Sequence, residues 1–300
     1  MVNSLQIIVL GVFFALMQPP NTRVIQIELL KSCSFDLFQT EVWYSEIFSF
    51  GDTESFSELF EESGIEGSNF IISIGPVFIF VVLFPLYMLI HSCMKWLFKD
   101  EQKIKCIKDF IEPKGFFVIA MVFMLEGCVE LGISVGVSMK KLNSDRFSNG
   151  SEILSSLLAF FFMVMLVLAP IYSMVAGIRL YRAKKRGDEE TVEKYEAIFE
   201  GKRMESSGAI QYSTLFFARR YALMAAIVFS PDSRNTHIFM MVLFTVFVLG
   251  FIKHVRPFED NGMNKQEFYN ELTVLFANYM LFLFTEFVPM QEDRYMIGWV

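Results

Sequence analysis

Basic residues alternate along this chain with its apolar stretches, and no other feature limits so tightly what it can fold into. Six stretches carry little or no charge, at roughly residues 70–94, 115–138, 153–178, 210–229, 237–253 and 268–288. Each is about one bilayer long as a helix. The connections between them are basic in a many–few–many–few order. Lys95, Lys99, Lys103, Lys105, Lys108 and Lys114 fill the first, and Arg179, Arg182, Lys184, Lys185, Arg186, Lys194, Lys202 and Arg203 fill the third. Lys253, Arg256 and Lys265 fill the fifth. The other connections and the two ends hold only Arg23, Lys31, Lys140, Lys141, Arg146, Arg234 and Arg294. Because basic loops stay in the cytoplasm, residues 95–114, 179–209 and 253–266 are expected there, and the remaining connections outside.

Composition agrees with a membrane chain. Apolar residues make up 54% and phenylalanine appears 35 times, well above soluble usage. The apolar runs show no strand-period alternation, so helices are the expected form. The fold class read from the sequence is therefore all-α, an integral membrane helical bundle with six clear spans in residues 68–300. The net charge of −7 does not point to a partner, since it comes mostly from the segment Asp36 to Glu66, which holds acids and no basic residue. Kinks are expected at Pro76, Pro85 and Pro170, inside the spans.

Two segments precede that bundle. Residues 1–20 hold an apolar run, Leu5 to Met17, which is too short to cross a bilayer and stops at Pro19-Pro20. It reads either as a signal-like segment or as part of a span. Residues 21–67 read as an extracytoplasmic acidic segment with apolar faces suited to the membrane interface. The sequon Asn149-Gly150-Ser151 falls in an outer loop, making Asn149 the glycosylation candidate. Cys33, Cys93, Cys106 and Cys128 do not put two thiols in one oxidising compartment, so no disulfide is expected.

Four ionisable residues lie where topology does not require them. Glu126 and Glu130 are four apart within span 115–138 and so share a helix face. Charge at that depth is costly unless it faces the bundle interior, is paired or holds a proton. Their functional reading is a cation or proton site, and their structural reading is an ion pair that fixes packing. The expected partner is the Arg219-Arg220 pair of span 210–229. Adjacent residues stand about 100° apart on a helix, so one arginine is expected to pair and the other to snorkel toward the headgroups. Further out, Lys184-Lys185-Arg186 reads as ordinary topogenic charge or as an anionic-lipid contact, and Asp188 to Phe199 as an amphipathic surface helix. Enzyme chemistry is not expected. His91, His237 and His254 are not spaced for a metal site, and no nucleophile elbow, zinc-protease motif or phosphate-binding glycine loop is present. No catalytic residue, metal or cofactor is therefore assigned.

Several short phrases occur in a characteristic order. They are Asn3-Ser4-Leu5-Gln6, Phe56 to Phe60 leading to Ser68-Asn69-Phe70-Ile71, and Phe216-Phe217-Ala218-Arg219-Arg220. Arg256-Pro257-Phe258, Asn270-Glu271-Leu272 and Arg294-Tyr295-Met296-Ile297-Gly298-Trp299 follow. This order resembles the C-terminal membrane block of large ciliate surface proteins with growth-factor-receptor-like ectodomains. That block is distantly similar to the transmembrane region of transient-receptor-potential or polycystin-like channels. The resemblance implies a channel-like fold, and a chain that is a fragment or a shortened paralogue.

The physical reading of the same phrases stands beside it. Arg256-Pro257 ends a helix at the cytoplasmic face, Asn270-Glu271 opens the last span, and Tyr295 and Trp299 anchor the outer interface. The function expected is a channel-like or transport-like membrane domain for a cation. The competing class is a non-transporting surface receptor or anchor. Membrane lipid, a cation and further copies of the chain (a homo-oligomer) are the expected partners, and nucleic acid is not.

Overall fold

The computed structural model describes residues 7–8, 10–14, 16, 18–34, 70–74, 86, 89, 93, 127–140, 150–230 and 233–299. Among them every regular element is helical, and the only strand-like pairing is a single bridge between Lys202 and Phe258. The α-helices are α1 (Pro20–Ser34), α2 (Phe70–Ser73), α3 (Cys128–Lys140), α4 (Gly150–Arg186), α5 (Glu189–Glu196), α6 (Ser207–Ile210), α7 (Tyr212–Phe229), α8 (Arg234–Val255), α9 (Asn261–Phe282) and α10 (Gln291–Ile297). The all-α expectation therefore matches the described chain.

Two helices are long and apolar enough to cross a membrane, at Glu152–Arg186 in α4 and Asn235–Val255 in α8. Only 28% of the apolar window of each is buried. A core helix of a soluble protein would bury most of such a surface. Here Leu157, Phe160, Phe161, Val167 and Leu168 of α4, and Phe239, Leu243 and Phe247 of α8, are exposed. An all-round apolar helix left uncovered is what a lipid-facing segment presents.

The sequence predicts six such spans, and the described residues supply two. For the first two expected spans, much of the chain lies outside the described residues. Of 70–94 they include 70–74, 86, 89 and 93, and of 115–138 they include 127–138. The shortfall at α7 and α9 has a physical cause. Their inner faces carry Arg219, Arg220, Glu271 and Asn278, all buried, while Leu272, Phe276 and Tyr279 of α9 face outward. On α9 polar residues are buried while large apolar ones are exposed, the reverse of a soluble amphipathic helix.

Element ends also depart from expectation. The helix of the last expected span, α9, begins at Asn261, where Asp260 caps it by accepting a hydrogen bond from Gly262 N at 2.8 Å. Glu271 is therefore mid-helix and does not open a span. At α8 the expected stop holds, with Arg256 in the left-handed region at φ 50° ahead of Pro257. The helix α4 continues through Pro170 to Arg186, well beyond the expected end. Its extension turns at Gly187 (φ 74°) into α5, whose Tyr195 packs with Phe199 against Ala176 and Leu180 of α4. The expected surface helix thus lays its apolar face on α4 rather than leaving it uncovered.

The main core joins Phe13 and Phe14 to Val129 and Ile133 of α3, Leu223 and Ile227 of α7, Met241 of α8 and Leu281 of α9. Among the described residues of the N-terminal apolar run, Leu10–Phe13 form a 3-10 turn buried within that core. Pro19 and Pro20 end that run, and Pro20 supplies the first residue of α1, a position where its missing N–H is not needed. Along α3, Gly132 and Gly136 meet α7. A Cβ there would lie 2.3 Å from Met224 Sδ and 2.7 Å from Val228 Cγ2, respectively. This small-xxx-small spacing lets two helices approach closely.

Candidate functional site

Heptad spacing builds a polar seam into α9. Asn264, Glu271 and Asn278 recur every seven residues, Thr285 continues the register just past the helix, and all four are buried. Residues seven apart fall on nearly the same face of a helix. That face packs on α8, joined to α9 by the short turn 256–260, and on α7.

The centre of the seam is an ion pair. Arg219 Nη1 of α7 donates to Glu271 Oε2 at 2.6 Å, and their side chains are 3% and 5% exposed. Arg219 Nη2 donates to Thr245 Oγ1 of α8 at 3.0 Å, and Asn278 Nδ2 donates to the same oxygen at 3.3 Å. Thr245 donates in turn to Met241 O at 2.7 Å. One hydroxyl therefore ties α7, α8 and α9 together. One turn away along α9, Tyr212 Oη donates to Glu267 Oε1 at 2.9 Å and Asn270 Nδ2 reaches Glu267 Oε2 at 3.3 Å. A cavity of about 10 Å³ lies among Tyr212, Arg219, Arg220, Glu267 and Glu271, close to the roughly 10–15 Å³ that one water needs.

Burial accounts for the need to pair. A charge removed from water costs several kcal/mol, offset only by an opposite charge and hydrogen bonds. Arg219 meets Glu271 and Thr245 through Nη1 and Nη2, while its buried Nε makes no hydrogen bond. Arg220 follows a different route. Its guanidinium stacks 3.4 Å from the centroid of the Phe216 ring, one helical turn earlier on α7. It is 1% exposed, so the expected snorkelling arginine is a buried one. The two arginines do diverge as a 100° separation requires.

The other expected site residues fall differently. Glu126 and Asn149 lie outside the described residues. Glu130 lies on α3, and its side chain is likewise outside them. The described partner of Arg219 is Glu271, which was read from the sequence as a helix-opening acid. Seven-residue spacing of Asn264, Glu271, Asn278 and Thr285 was the signal that could have found it.

A second polar junction sits where the connection before α7 meets the α8–α9 turn. Arg203 N donates to Pro257 O at 2.9 Å, Arg203 Nη2 to Val255 O at 2.6 Å, and Glu259 N to Gly201 O at 3.1 Å. Lys202 donates to Ser213 Oγ and stands 5.6 Å from the centre of the Phe199 ring. Burial pushes the Lys202 amine down to about 8. No group of three or more His, Cys, Asp or Glu able to hold a metal occurs among the described residues.

The arrangement can hold charge in a dry place and bind three helices through it. No known protein family, curated protein or solved structure matches this chain.

Proposed function

We propose that the chain is a multi-pass membrane domain of the channel-like or transport-like class, handling a cation, with the Arg219–Glu271 network as its working polar element. One observation carries the reading: a buried ion pair, extended by Thr245 and Asn278, inside helices whose outer faces are apolar. Intramembrane ionisable groups are expensive and tend to mark ion pathways and proton relays. Glu267 and Glu271, one turn apart, supply carboxylates to attract a cation, and Glu126 and Glu130 belong to the same proposal. The resemblance to the channel-like membrane block of ciliate surface proteins supports it. So does the alternation of basic connections, with six spans and residues 95–114, 179–209 and 253–266 in the cytoplasm. Around the ion pair the described residues enclose a cavity of only about 10 Å³, and the path is proposed to run between copies in a homo-oligomer.

A second reading has an observation of its own. The Arg219–Glu271 pair is closed and neutral, as expected of a packing device in a receptor or anchor domain. Cation flux into liposomes holding the purified chain separates the two. Flux lost in Glu271→Gln and kept in the exposed-face control Tyr269→Phe supports transport. Its absence from folded wild-type protein supports the anchor.

A further inference from the structure

Arg294 is a buried cation without a counter-charge among the described residues. It lies on α10, is 9% exposed, and has no carboxylate partner among the described residues. Its Nη1 donates to Val288 O at 2.7 Å and to Pro289 O at 3.4 Å, both neutral acceptors. The edge formed by Nε and Nη2 remains free to donate. Beside it lies a cavity of about 150 Å³ lined by Gln18, Pro19, Pro20, Gln291, Arg294 and Tyr295. One water needs roughly 10–15 Å³ of such space, so a group of several heavy atoms fits. Glu292 and Asp293, the nearest acids in sequence, are exposed and line no part of it.

We infer that this cavity is an oxyanion site, with the Arg294 guanidinium holding the phosphate group of a phospholipid or free phosphate. Three features carry the assignment. A largely buried guanidinium with no carboxylate partner among the described residues gains most from an anion. Its planar edge matches two phosphate oxygens with parallel charge-assisted hydrogen bonds. Gln18, Gln291 and Tyr295, all polar residues, line the same cavity, with the Gln18 amide nitrogen donating to Gly11 O at 3.3 Å. Exposed Tyr295 and Trp299 beside it have the aromatic character of a headgroup-level belt. The site is separate from the Arg219–Glu271 seam and stands whether or not the chain transports a cation.

The experiment measures thermal stability and retained lipid of the purified full chain in neutral detergent. Phosphatidylglycerol, a phosphate-free glycolipid and inorganic phosphate are titrated separately. The expected result is stabilisation of wild type by phosphatidylglycerol but not by the glycolipid. The Arg294→Gln variant should lose affinity by about tenfold or more, as removal of a charge-assisted pair implies. Stabilisation by inorganic phosphate as well, lost in the same variant, supports the site with a soluble source. Should Arg294→Gln fail to fold, Gln291→Glu replaces an exposed lining amide by a like charge and is expected to weaken binding in the same way. Equal response of wild type and variants, or no response to either phosphate, overturns the assignment.

Discussion

Arg219 of α7 and Glu271 of α9 meet at 2.6 Å, 52 residues apart in sequence, with almost no solvent on either side chain. The contact links the helical hairpin α8–α9 to α7 and sets the register of the seam. Breaking it from one side strands a charge. Arg219→Ala or Glu271→Ala is expected to cost about 3–5 kcal/mol each. The double variant Arg219→Gln/Glu271→Gln should cost less than the sum of its single changes. Thermal unfolding in detergent micelles reads this cycle, and strictly additive losses would contradict the pairing.

Thr245 is the next member to test. Its hydroxyl accepts from Arg219 and Asn278 and donates to Met241 O, whereas Asn278 makes one hydrogen bond through its amide nitrogen. Thr245→Val leaves two buried donors without an acceptor and is expected to cost about 1–3 kcal/mol. Asn278→Leu should cost less, although Asn278 is fully buried. The reverse order, measured by the same unfolding assay, would count against Thr245 as the shared acceptor.

Close approach of α3 and α7 gives a graded prediction. The Cβ of Gly136→Ala meets Val228, a β-branched side chain with one favoured rotamer in a helix. That of Gly132→Ala meets Met224, whose flexible thioether can move aside. Gly136→Ala is therefore expected to destabilise by about 1–3 kcal/mol and Gly132→Ala by less. Equal effects would mean the helices do not pack at this register.

Much of this architecture is legible in the sequence, and the remainder has physical reasons for being hidden. The apolar runs of α4 and α8 announce their length and exposure, and Arg256-Pro257 announces where α8 stops. Arg219 and Arg220 stand out because charge is rare in such runs. Their partners do not, because Glu271 sits in a stretch polar enough to read as a helix start. Only the cap at Asp260 shows that the helix began ten residues earlier. Glu126 and Glu130 stand out by their depth and four-residue spacing, and Glu126 and the Glu130 side chain lie outside the described residues. Depth and spacing do not tell which of several helices an arginine faces.

Lys202 predicts a pH dependence. With its amine held near 8 against an ordinary 10.5, the folded chain binds fewer protons than the unfolded chain between those values. Stability must then rise with pH across this window, with the full penalty present below about pH 8. Replacing Lys202 by Met should flatten that rise. A difference between wild type and variant that does not change from pH 8 to 10.5 would show that the amine titrates normally when folded.

The proposed cation function is tested most directly by flux through the purified chain in liposomes, followed across pH and under an imposed voltage, with folding verified by helical content. The account predicts flux above that of protein-free liposomes, lost in Glu271→Gln and reduced in Thr245→Val, with both variants still helical. Flux absent from well-folded wild-type protein under every condition, or unchanged in Glu271→Gln, would contradict it.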